Sequence, residues 1–118
     1  MSTTENKIDA ILDAISQDIA KQELKAEHAM HNIEMLNATS NEFKEANIQF
    51  SASMYVAGYL TRIQSVVMER QIKKAENVIR YHAYYQHTKG GLDNGQDVLL
   101  GQATIAAILD GYVEQFFK

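Results

Sequence analysis

The chain has no cysteine, no proline and no tryptophan, and only six glycines. Without cysteine there are no disulfide staples, no thiolate nucleophile and no cysteine zinc site. Average usage near ~5% would place roughly six prolines in a chain of this length, so their absence leaves long stretches free to run as helix. A strong charge of one sign is lacking too. Fifteen acidic and 11 basic side chains leave a net −4, which disfavours a dedicated duplex-DNA binder. The chain does not open on a basic segment followed by an apolar core, so no secretory leader is expected and a cytoplasmic location is. The least charged run, residues 48–68, carries only Arg62. Gln49, Ser51, Ser53, Thr61, Gln64 and Ser65 interrupt it, whereas a spanning helix needs ~20 predominantly apolar residues, so no membrane partner is expected.

What remains is 118 residues with 46% apolar content, enough for one domain (residues 1–118) with its own core. Ile8, Ile11, Leu12, Ile15, Ile19, Ala26, Ala29, Met30, Ile33 and Leu36 recur on one helical stripe. They predict a helix over about residues 4–37, with Ser2 and Glu5 at capping-box spacing. The stripe turns alanine-rich midway, a sign of close helix approach. Asn37-Ala38-Thr39-Ser40-Asn41 breaks the pattern, and Thr39 with Glu42 forms a second capping box. The following stretch stays helix-compatible over about 42–88, with Gly58 its one weak point and Lys89-Gly90-Gly91 its stop. Asp93 or Asn94 then caps a last helix over about 96–117, whose face is Val98, Gln102, Ile105, Leu109, Tyr112, Val113 and Phe116. Gly101 and Gly111 offer close packing there. The expected architecture is all-α: a helical hairpin plus a C-terminal helix, three long helices in all, or four if Gly58 bends the middle one.

The middle helix carries apolar groups almost around its circumference, as a buried helix does. Two companions from one chain would struggle to cover it, so a homo-oligomer with coiled-coil-like contacts is expected to complete the bundle. Tyr55, Tyr59, Leu60, Ile63 and Val67 are the candidate contacts on that helix. Leu24, His28, His31 and Met35 form a second, weaker apolar face opposite the isoleucine stripe of the first helix. Were that face a subunit contact, charging its histidines near pH 6 should loosen it.

Two constellations could carry chemistry. In Glu27-His28-Ala29-Met30-His31-Asn32-Ile33-Glu34, the residues His28, His31 and Glu34 stand about a turn apart, donors that suit zinc or iron. The order is His-x-x-Glu rather than the Glu-x-x-His of helical di-metal sites, and no second copy exists. Surface histidines are therefore the better reading, and neither a metal nor a cofactor is assigned. The second constellation is the block 62–89, which is net +4 between two acidic flanks. Arg62, Lys73 and Arg80 fall near one face of a continuous helix, with Tyr81 and Tyr84 beside them, so this stripe could hold a small phosphate-bearing ligand. Nucleic acid is disfavoured because one short stripe meets few phosphates. No phosphate loop, dinucleotide fingerprint or serine elbow is present, and no catalytic residue is assigned.

The expected function is accordingly non-enzymatic: a helical oligomer acting through protein–protein binding, as an inhibitor or adaptor of a partner or as an assembly subunit. The first alternative is a small-anion or nucleotide module built on Arg62, Lys73, Arg80, Tyr81 and Tyr84. The second is a metal protein using His28, His31 and Glu34.

Overall fold

A computed structural model describes residues 3–88 and 95–118, and every described segment of regular structure is α-helix. Four helices follow one another: α1 Thr3–Met35, α2 Asn41–Val67, α3 Ile72–Thr88 and α4 Gln96–Phe116. The periodicity of α1 holds for Ile8, Ile11 and Ile15, which are fully buried, and for Ala26 and Ala29, whereas Met30, expected on the same stripe, is 38% exposed and Gln22 takes a buried place instead. The link from α1 to α2 closes on local hydrogen bonds. Asn37 Oδ1 accepts from the Thr39 amide and hydroxyl, an Asx turn, and the Ser40 hydroxyl accepts from the Phe43 amide at 3.1 Å. Ser40 therefore caps α2, one residue beyond the Thr39 expected, because Thr39 is engaged by Asn37. The cap expected at Ser2, the stop at Lys89-Gly90-Gly91 and the cap at Asp93 or Asn94 lie outside the described residues. The N-cap position of α4 is Gly95, which makes no side-chain capping bond.

The expected helix over 42–88 is corrected. It breaks at residues 68–71, not at Gly58, which sits exposed within an unbroken α2. The Glu69 and Arg70 amides donate to Val66 and Val67 three residues back, and Arg70 takes φ 62°, a left-handed conformation rare outside glycine. Its guanidinium then reaches α1, meeting Glu5 at 2.5 Å and Asp9 at 2.9 Å. The chain thus reverses, and α3 folds back beside α2. A continuous helix over 42–88 would run about 70 Å, whereas the longest extent of the molecule is 56 Å.

This reversal changes how the middle segment is covered. Ile8, Ile11 and Ile15 of α1, Val56, Leu60, Ile63 and Val67 of α2, Ala75 and Ile79 of α3, and Ile105, Leu109 and Tyr112 of α4 form one continuous core. Tyr59, Leu60, Ile63 and Val67, expected at a subunit contact, belong to that intramolecular core and are at most 9% exposed. The expectation fails because a fourth helix of the same chain supplies the neighbour that three helices lack. Gly101 allows the close packing expected of it, since a Cβ there would lie 2.6 Å from the Tyr55 ring. Gly111 faces open space instead.

Candidate functional site

The four-helix core occupies one end of an elongated molecule of 56 × 29 × 20 Å. Beyond it, α1 and α2 continue as a hairpin joined mainly through alanines: Ala26, Ala29 and Ala46 are its buried apolar residues. Small side chains bring the backbones close but bury little area, so the larger apolar groups stay on the surface. Leu24 is 53% exposed, Met30 38%, Met35 74% and Met54 50%. Between the helices lies an open groove of about 750 Å³, lined by Ala20, Leu24, Ala26, Met30, Phe50 and Met54 and edged by Glu23 and Glu27. His28 and His31 are exposed on the same outer crest of α1 as Leu24 and Met35. The second face predicted for α1 is therefore present and exposed among the described residues.

A second site lies at the closed end, between α2 and α3. Tyr59, Arg62, Ile63, Val66, Val78 and His82 line a cavity of about 240 Å³. The Tyr59 hydroxyl pairs with His82 Nδ1, the two rings meet edge to face, and Tyr81 and Tyr85 pack around the same imidazole. Burial, then the nearby Arg62 charge, pushes the His82 pKa below the ordinary histidine value, which keeps the ring neutral at pH 7. Burial raises the Tyr59 hydroxyl, with the Gln86 amide beside it pulling the other way. Gln86 is 5% exposed, yet neither of its amide atoms makes a hydrogen bond of ordinary geometry among the described residues. Arg62 lies over the Tyr59 ring at 5.6 Å and has no carboxylate partner among the described residues.

The expected basic stripe is not assembled as one surface. Arg62 belongs to α2 and faces the Tyr59–His82 cavity, whereas Arg80 leaves the opposite edge of α3 to pair with Glu76 and donate to the Phe117 carbonyl, both at 2.9 Å. Lys73, Tyr81 and Tyr84 are exposed on α3, Tyr81 stacking with Tyr85. The break at 68–71 causes the separation, since the expected alignment assumed one continuous helix. For the metal alternative, no three His, Asp or Glu side chains converge among the described residues, and His28, His31 and Glu34 are each exposed. One buried polar contact serves packing: the Tyr112 hydroxyl donates to Asp18 at 2.5 Å, and burial with that carboxylate raises its pKa strongly. No helix among the described residues is long and apolar enough to cross a membrane.

His82 was not marked as a site residue by sequence spacing, and Tyr59 was expected at a subunit contact rather than beside a cavity, because the two lie on helices that meet only after the reversal. The one local hint is Tyr59 three residues before Arg62, which places ring and cation on one side of α2. Comparison of the chain with protein-family models, with curated proteins and with solved structures finds no match.

Proposed function

We propose that the chain is a non-catalytic binding protein that acts through the open hairpin end, pairing there with a second copy of itself. The observation that carries this reading is the exposed apolar set Leu24, Met30 and Met54 around a groove lined, among the described residues, by α1 and α2 alone, with Met35 exposed further along α1. Such patches mark interaction surfaces in water-soluble chains, and methionines adapt to a facing surface. Leu24, His28, His31 and Met35 also follow the alternating spacing of four and three that forms a coiled-coil seam.

Charge chooses the orientation. Lys21 and Lys25 flank one side of this crest, and Glu23, Glu27 and Glu34 flank the other. In a parallel two-fold pair each acidic flank lies beside the partner's lysines, while an antiparallel two-fold pair sets like against like. Burying the remaining exposed parts of Leu24 and Met35 on each copy yields roughly 4 kcal/mol at ~1 kcal/mol each. Association costs ~4–15 kcal/mol, so the pair is expected to be concentration-dependent.

Sedimentation velocity across a concentration series tests the reading. Dimer is expected to dissociate on dilution and to be lost in Leu24→Asp and Met35→Asp, whose helical circular dichroism should stay native because both side chains are at least half exposed. With no native cysteine to interfere, His28→Cys should form a disulfide-linked dimer only if the two crests run parallel. A monomer at every concentration, or a dimer indifferent to both aspartates, overturns the proposal.

A further inference from the structure

The cavity between α2 and α3 combines features that the core does not need. Its floor is apolar, from Ile63, Val66 and Val78, while Arg62, Tyr59 and His82 bring one cation and two polar rings to the same space. Arg62 gains no ion pair among the described residues, in a chain whose Arg70 and Arg80 are both paired.

We propose that this cavity binds a small monocarboxylic acid with a compact apolar body, its carboxylate on Arg62 and its body against Ile63, Val66 and Val78. Charge, size and shape choose that class. A guanidinium holds a carboxylate through two parallel hydrogen bonds. In the tautomer whose Nδ1 accepts from the Tyr59 hydroxyl, the neutral His82 ring carries its proton on Nε2 as a further donor. A phosphate would call for more cations than the one present, and the apolar floor would give it nothing. A volume of about 240 Å³ corresponds to about eight water-sized volumes at ~30 Å³ each, the scale of hexanoate or benzoate and well short of a nucleotide. The phosphate-bearing ligand expected from sequence is thereby replaced by a smaller and less charged one, and of the five residues expected only Arg62 is retained.

The test is titration of the intact chain with benzoate and with hexanoate, followed by amide and methyl NMR, with hexanol and inorganic phosphate as comparison probes. Saturable shifts centred on Ile63, Val66, Val78 and His82 are expected for the two carboxylates. They should weaken at least tenfold in Arg62→Gln and recover in part in Arg62→Lys, while exposed Arg62 leaves the rest of the spectrum native. Val66→Phe, which fills the floor without touching the cation, should also abolish them. Hexanol binding as well as hexanoate, phosphate binding as well as benzoate, carboxylate shifts indifferent to Arg62→Gln, or no shift at tens of millimolar would each overturn the proposal. None of these results bears on the hairpin pairing, which uses the other end of the molecule.

Discussion

Replacing Arg70 by glycine and, in a second variant, by alanine weighs the reversal between α2 and α3 against the continuous helix that local sequence favours. Both variants remove the guanidinium, so the pairs to Glu5 and Asp9 are lost equally and cancel in the comparison. What differs is the backbone. At φ 62° an alanine Cβ crowds the following carbonyl, a cost of about 1–2 kcal/mol that glycine escapes. Inside a helix the preference reverses, and alanine is better by about 1 kcal/mol. The sign of the difference therefore reports the backbone state at residue 70, with a swing of about 2–3 kcal/mol between the two structures. Arg70→Gly should exceed Arg70→Ala by at least 1 kcal/mol in urea unfolding, or about 3–5 °C in Tm for a chain of this length. Equal variants, or a more stable alanine variant, would refute the turn and with it the intramolecular burial of Leu60 and Ile63.

Gly58→Ala should raise stability by about 1 kcal/mol in thermal or urea unfolding, because a Cβ at this exposed helical position meets nothing within 4 Å. Gly101→Ala should lower stability by about 1–2 kcal/mol in the same assay, since its Cβ would lie 2.6 Å from the Tyr55 ring and the clash outweighs the gain in helix propensity. Acid should weaken the fold through His82. Its folded pKa lies below the unfolded value near 6.5, so the unfolded chain binds the extra proton. Stability is then fully present above pH 6.5 and declines as pH falls through that value towards the lower folded one. The Arg62 charge and the Tyr59, Tyr81 and Tyr85 rings face this imidazole. Urea midpoints at pH 7.5 and 5 should therefore differ more for the wild type than for His82→Asn, and identical pH dependence would count against a desolvated neutral ring.

Much of the candidate interface was legible in sequence. Leu24, His28, His31 and Met35 oppose the isoleucine stripe at helical spacing, and a helix with one strongly apolar face turns that face inward. The other face is then left outside whatever the neighbours are. The cavity was legible only in its cation. Arg62 stands out as the lone charge in residues 48–68, but its partners His82 and Val78 lie across a chain reversal and share no local pattern with it. The expected grouping of Arg62 with Arg80 failed for the same reason: angular position on a helix has meaning only while the helix continues.

Sequence alone settled that this chain is helical, that it turns at residues 37–40, and which faces of α1 and α4 point inward, because backbone propensity and hydrophobic period are local properties. Tertiary structure decided the rest. Met68-Glu69-Arg70-Gln71 contains only ordinary helix formers, and the turn it makes is tied down by Glu5 and Asp9, more than sixty residues away. Where that turn falls determines that α3 covers α2, that Leu60 and Ile63 find shelter within one chain, and that Arg62 and His82 border a common cavity. A side chain's period tells which way it faces; only the path of the whole chain supplies what it faces.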